Sequence, residues 1–130
     1  MDTFTVSDTE MQQVVAEFLA QGHVDTVMAL FRHDHHMFEL AGAILDDERY
    51  IVRLGMVLLF EELVQAGVKE VARAIPSLAA LLEEAPVYVR GEAATILGLI
   101  GTEQALARLR PLLHDPEPQL REIAADFLPT

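Results

Sequence analysis

Three stretches of the chain repeat one arrangement of residues, and this repetition constrains the fold more than any other feature. Each stretch contains an acid and, six residues later, an arginine that follows an apolar residue. An apolar pair precedes each acid, and another apolar residue lies seven positions after each arginine. The acid and arginine pairs are Asp47/Arg53, Glu84/Arg90 and Asp115/Arg121, so the units are 37 and then 31 residues apart. Such a period is typical of solenoids built from helix pairs.

Apolar residues recur with helical spacing along most of the chain. Val52, Met56, Leu59 and Leu63, for example, lie at i, i+4, i+7 and i+11, the spacing of one buried helical stripe. No segment alternates apolar and polar residues for long enough to predict a strand. Pro76 is expected to kink the fifth helix. The predicted helices cover about 7–22, 23–33, 35–45, 48–66, 68–84, 87–100, 102–113 and 118–128.

The composition excludes several classes of function. The chain has no cysteine, which excludes disulfides, zinc–thiolate sites and thiol chemistry. Acids outnumber bases by 21 to 9, and the net charge of −12 argues against nucleic acids and anionic membrane surfaces as partners. The first residues lack the basic start of a signal peptide, and the longest apolar run is too short to span a bilayer. We therefore expect a cytoplasmic protein.

The repeated pattern resembles the HEAT repeat family, especially the shorter repeats related to phycobilisome lyases. The resemblance rests on the leucine pair, the acid, and a valine–arginine dipeptide followed by small residues, as in VYVRGEAATILGLIG. It implies an all-α protein, an α-solenoid with a right-handed superhelix of about four helix pairs. We expect one domain over residues 1–130, in which 7–33 form a capping helix pair and 34–66, 67–101 and 102–128 form the repeats.

The resemblance also implies a role for the repeated arginines. In the family, the arginines and acids form a ladder at the turns of the stack, and the matching pairs here are Asp47/Arg53, Glu84/Arg90 and Asp115/Arg121. A guanidinium tolerates partial burial when a carboxylate and backbone carbonyls bind it. We expect this ladder to fix the register between neighbouring helix pairs rather than to bind a ligand.

A short histidine-rich stretch is the candidate for metal chemistry. His33, His35 and His36 lie together in RHDHH, and imidazoles at this spacing can share a metal ion. The same stretch also fits a helix junction at which Asp34 caps the next helix. A metal-binding or enzyme-accessory domain that uses His33, His35 and His36 is therefore the alternative function.

Other enzymatic chemistry has little support. The HEAT-repeat deoxyhypusine hydroxylases hold two irons through His-Glu dipeptides, but here Gly91 precedes Glu92 and the chain contains no such dipeptide. The HEAT-like alkylpurine glycosylases need a basic face for DNA, which this acidic chain does not offer. We predict that the chain is not an enzyme and uses no cofactor.

The remaining candidate is a protein-binding surface on the second helices of the pairs. Positions that face away from the buried stripe are apolar at first and acidic toward the C-terminal end. The candidate partner-binding residues are Leu54, Leu58, Tyr88, Gly91, Glu92, Thr95, Glu122 and Asp126. Alternatively, the N-terminal helix covers Leu54 and Leu58. We predict a non-catalytic scaffold or adaptor that binds an unidentified protein on its concave face, through a basic or amphipathic element.

Two further expectations concern partners. The run VRLGMVLLFEEL and the two repeats after it resemble the helical module joined to thioredoxin-fold domains in some bacterial proteins. That resemblance implies a thioredoxin-fold partner. Another possibility is self-association, in which Ile123 and Phe127 of the last helix pair with a second copy. We expect a monomer or a weak homodimer.

Overall fold

The computed structural model describes residues 6–129, which form helices joined by short connections, without strands. This confirms the predicted all-α class; the ends of the predicted domain, 1–5 and 130, lie outside the described residues. The α-helices are α1 (Asp8–Ala20), α2 (Val24–His33), α3 (Ala41–Leu45), α4 (Tyr50–Gln65), α5 (Ile75–Glu84), α6 (Val87–Ile100), α7 (Glu103–Leu109) and α8 (Pro118–Phe127). The 3-10 segments are His35–Leu40, Lys69–Ala74 and Arg110–His114.

The helices are stacked in two layers. Helices α4, α6 and α8 lie side by side in one layer, and α3, α5 and α7 lie in the other. Both α1 and α2 pack on α4 at the N-terminal end of the stack. Each pair buries its apolar face against its neighbours, so that one hydrophobic core runs from α1 to α8. This arrangement is the predicted α-solenoid.

The first helix of each repeat is divided where the sequence predicted one continuous helix. The 3-10 segments precede α3 and α5, and the third one follows α7. The predicted kink at Pro76 is wrong, because Pro76 lies in the first turn of α5, where a missing N–H breaks no helical hydrogen bond. Pro111 holds the equivalent place in Arg110–His114. These prolines begin new segments and do not bend one helix.

Several predicted helix ends are confirmed. Ser7 and Glu10 form a capping box at the start of α1. The carboxylate of Asp34 accepts a hydrogen bond from the N–H of His36, as expected of a cap. Glycines follow the ends of α1, α4 and α6 in the left-handed backbone region, which a glycine adopts without steric cost. They are Gly22, Gly67 and Gly101.

The contact between α6 and α8 depends on a glycine that faces an aromatic ring. A methyl group on Gly98 would lie 2.3 Å from ring atoms of Phe127. Ile123 lies against Gly91 in the same interface, at 3.5 Å from the position that a Cβ would take. Ile123 and Phe127 thus pack on α6 of their own chain and are only partly buried, and their pairing with a second copy stays a prediction.

Candidate functional site

A buried arginine at the contact between α4 and α6 connects the second and third helix pairs. Arg53 is 6% exposed, and its Nη1 donates to the carbonyl oxygens of Asp47 and Glu48 at 2.8 and 2.9 Å. Its Nε lies 2.7 Å from Oε2 and 3.1 Å from Oε1 of Glu92 on α6. These hydrogen bonds replace the ones that the guanidinium would form with water, and they hold it in one orientation.

The later arginines repeat parts of this arrangement. Arg90 donates to the carbonyl oxygen of Leu82 and binds the carboxylate of Asp115 in the following repeat. Arg121 donates to the carbonyl oxygens of Asp115 and Pro116, as Arg53 does to its own turn. Arg53 and Arg90 thus each bind an acid of the next helix pair.

Two of the predicted pairs, Asp47/Arg53 and Asp115/Arg121, are joined through the backbone carbonyl of the acid and not through its carboxylate. The carboxylate of Asp47 binds Arg49, which lowers the pKa of Asp47, and Glu84 is exposed at the end of α5. Asp115 accepts from the backbone N–H two residues ahead, which lowers its pKa together with Arg90 of the preceding repeat. Asp47 and Asp115 close their own turns as Asx-type caps, whereas the longer side chains of Arg53 and Arg90 reach the next repeat.

Two tyrosines lie against the Arg53 guanidinium at the outer surface of this layer. The Cζ atom of Arg53 is 4.5 Å from the ring centroid of Tyr88 and 5.6 Å from that of Tyr50. Tyr88 is nevertheless 48% exposed and Tyr50 62% exposed. A guanidinium near a ring is attracted to its π-face and restricts its orientation. Helices α4 and α6 therefore present two ordered aromatic side chains to solvent.

A cleft of about 370 Å³ lies between these tyrosines and α8. It combines aromatic, aliphatic and amide groups with one carboxylate, that of Glu92. Burial raises the pKa of the Glu92 carboxyl, and the opposing attraction of Arg53 does not cancel this effect. The lining residues are Tyr50, Arg53, Tyr88, Gly91, Glu92, Thr95, Gln119 and Ile123.

Four of the eight predicted partner-binding residues line this cleft, namely Tyr88, Gly91, Glu92 and Thr95. The other four lie outside it: Leu54 is half-buried on α4, whereas Leu58 on α4 and Glu122 and Asp126 on α8 are exposed.

The N-terminal helix does not cover Leu58, which is 42% exposed. Leu19 of α1 packs instead over Gly55, one helical position away from Leu54. Tyr50 was missed because it lies outside the aligned columns of the repeat. One sequence signal could have identified Tyr50: it lies within one helical turn of a repeated arginine, Arg53. Tyr88 lies in the same way close to Arg90.

The three histidines are not brought together. His36 Nε2 lies 3.0 Å from Oδ1 of Asp8, and this hydrogen bond raises the pKa of His36. His35 faces Glu70 across 3.9 Å, and His33 is exposed at the end of α2. Within residues 6–129, no three His, Asp or Glu side chains are arranged to hold a metal ion. His33, His35 and His36 therefore do not surround a common position in this structure.

A larger cavity, of about 440 Å³, lies between α1 and α3. Its charged groups already satisfy one another, because Arg49 binds the carboxylates of both Glu17 and Asp47. No aromatic side chain lines it. The cleft at Tyr88 is therefore the better candidate for recognition.

Comparison with known families agrees with this architecture. The model of HEAT repeats matches residues 38–128. The chain belongs to the HEAT repeat family. The match includes Arg53, Arg90 and Arg121 and leaves out α1 and α2. No curated protein and no solved structure gives a significant match. HEAT repeat proteins are generally non-enzymatic and commonly act as protein-interaction scaffolds. In the described part of this HEAT repeat chain, the helices are too short or too polar to cross a membrane.

Proposed function

We propose that the protein is a non-catalytic scaffold that binds a segment of another protein on the face formed by α4, α6 and α8. The concentration of exposed apolar side chains on this face carries the proposal. Residues 6–129 expose nine large apolar side chains, and five of them lie on α4 and α6: Tyr50, Ile51, Leu58, Val87 and Tyr88. Exposed apolar residues that gather on one face mark interaction sites, whereas residues scattered singly do not.

The Arg53 contacts make this face suitable for binding. Arg53 is held by Glu92 and by two backbone carbonyls, and it restrains the rings of Tyr50 and Tyr88 in turn. A surface whose side chains are already ordered loses less conformational entropy when a partner binds. Exposed aromatic side chains are also common among the residues that contribute most to binding energy.

The charge of the chain supports a basic or amphipathic partner segment. Exposed acids lie on two of the helices that form this face: Glu61 and Glu62 on α4, and Glu122 and Asp126 on α8. With a net charge of −12, the chain attracts cationic segments and repels anionic ones. A thioredoxin-fold partner remains the specific candidate from the sequence resemblance.

The test uses two leucines that are exposed to similar extents on different parts of the molecule. Leu58 is 42% exposed on α4, and Leu113 is 38% exposed in Arg110–His114. We expect Leu58→Glu and Tyr88→Ala each to lose a partner that the wild type captures from native lysate. Leu113→Glu should retain that partner. The captured protein, once purified, should bind Leu58→Glu at least tenfold more weakly by calorimetry, because Glu places an unpaired charge in an apolar contact.

Equal loss of binding in the Leu58→Glu and Leu113→Glu proteins would contradict the proposal, since the site would not be confined to this face. Circular dichroism spectra of the three variants must match that of the wild type, because a misfolded variant would lose partners for another reason. Capture of a thioredoxin-fold protein through this face would support the more specific resemblance.

A further inference from the structure

We infer that the cleft between α6 and α8 binds a lysine side chain of the partner segment, with its ammonium group on the Glu92 carboxylate. This inference rests on the proposed function, because it names the group that the scaffold recognises. It depends on three features of the cleft: its carboxylate, its aliphatic floor and its aromatic wall.

The carboxylate is only partly satisfied by the protein. Both oxygens of Glu92 accept from the same N–H, that of Arg53 Nε, at 2.7 and 3.1 Å. An ionised carboxylate offers about four acceptor positions. The Glu92 side chain is half-buried, and burial raises its pKa despite the nearby guanidinium. A further cation would therefore recover part of the solvation that Glu92 has lost.

The cleft suits an ammonium group on a flexible aliphatic stem. Gly91 and Ile123 form an apolar floor, and Tyr88 forms a wall along which four methylene groups can lie. A partner arginine is less suitable, because a guanidinium binds best to a carboxylate that presents both oxygens to its two N–H groups. Arg53 already occupies that edge of Glu92.

The exposed acids of α8 favour the same ligand. Glu122 lies next to Ile123 in sequence, and Asp126 lies one helical turn further on. Glu122 and Asp126 thus add negative charge on α8 outside the lining of the cleft, and Glu92 already neutralises the buried guanidinium of Arg53. This balance attracts a second cation despite the presence of Arg53.

The test measures binding of a minimal probe by NMR, with ¹⁵N-labelled protein and the peptide acetyl-Ala-Lys-Ala-amide. We expect amide shifts confined to Tyr88, Gly91, Glu92 and Thr95, with a dissociation constant on the order of 1–10 mM, as suits one solvated ion contact. The norleucine and arginine analogues of the peptide should bind at least fivefold more weakly. Glu92→Gln should weaken lysine binding at least tenfold.

The matched control is Glu84→Gln, which removes the same charge from an exposed site on α5. It should leave lysine binding unchanged. Shifts spread over the acidic surface, or equal weakening in both variants, would overturn the inference. If the arginine analogue binds as tightly as the lysine peptide, the preference of Glu92 for an ammonium group over a guanidinium is wrong. If Leu58→Glu abolishes partner capture while the lysine peptide leaves the cleft amides unshifted, the scaffold function stands and the lysine inference fails.

Discussion

The packing of Phe127 in the last helix pair against Gly98 of α6 gives a quantitative prediction. Replacement of Gly98 by alanine would place a methyl group 2.3 Å from two ring atoms of Phe127 and 2.6 Å from a third. Since no carbon atom can approach another so closely, the ring must rotate away or α8 must shift. Either movement removes part of the apolar contact that holds the last helix pair on α6.

Two opposing contributions determine the net effect of Gly98→Ala. Alanine in the interior of a helix is more favourable than glycine by about 1 kcal/mol. Displacement of a packed phenylalanine costs about 2–3 kcal/mol, in the range of losing its buried apolar surface and of overpacking a core. We therefore expect the free energy of unfolding to fall by about 1–2 kcal/mol, which corresponds to a melting temperature lower by roughly 4–8 °C.

A double-mutant cycle measured by urea denaturation isolates the clash. In a Phe127→Ala background the ring is absent, so Gly98→Ala should stabilise the protein by about 1 kcal/mol through helix propensity alone. The matched control in the same helix is Gly91→Ala, whose methyl group would lie 3.5 Å from Ile123, an ordinary contact distance. Gly91→Ala should be neutral or stabilising by up to about 1 kcal/mol.

Equal destabilisation of the wild type and of the Phe127→Ala protein by Gly98→Ala would refute a clash with the ring, because the cost would then have another origin. Stabilisation of the wild type by Gly98→Ala would refute the clash as well. A large loss of stability in Gly91→Ala would indicate that α6 tolerates no side chain at its glycines, whatever faces them.

Two further predictions concern charged groups. Arg90→Ala should lower the free energy of unfolding by about 2–3 kcal/mol in thermal or urea denaturation, because it leaves the half-buried carboxylate of Asp115 without its partner; an unchanged melting temperature would contradict this role. For His36, the hydrogen bond with Asp8 raises the pKa, so its stabilising effect is complete below the unfolded pKa, near 6.5. That effect is lost as pH rises through the folded value, so Asp8→Asn should lower the melting temperature more at pH 6 than at pH 8.5, and an equal effect at both pH values would show that the ionised histidine does not contribute.

The repeat architecture could be predicted because it depends on residues within one unit. Buried stripes such as Val52, Met56, Leu59 and Leu63 have the helical period, and the arginine recurs with them, so spacing alone locates each second helix. The 3-10 segments were not predicted, because their apolar residues are spaced nearly as in an α-helix. A 3-10 segment differs from an α-helix in that its hydrogen bonds join residues three apart and not four apart. The packing of the whole layer determines which of the two forms.

The partner of each arginine could not be predicted, because that contact joins different units. Asp47 is six residues from Arg53, yet the acid that binds Arg53 is Glu92, on the next repeat. Sequence spacing identifies neighbours along a helix but not the side chains that face each other across two helices. The cleft could not be predicted for the same reason. Tyr88 and Ile123 belong to different repeats and lie close together only when α6 and α8 are stacked.

The forward reach of the arginines gives the array a polarity. Arg53 depends on an acid of the third pair, and Arg90 depends on an acid of the fourth, whereas no ladder arginine depends on α1 or α2. The contacts of the ladder arginines therefore connect the last helix pair to its neighbour but do not connect the first pair to the second. Trimming the last pair would leave Arg90, which is half-buried, without its carboxylate, and trimming the first pair would leave every ladder arginine with the bonds that it has now.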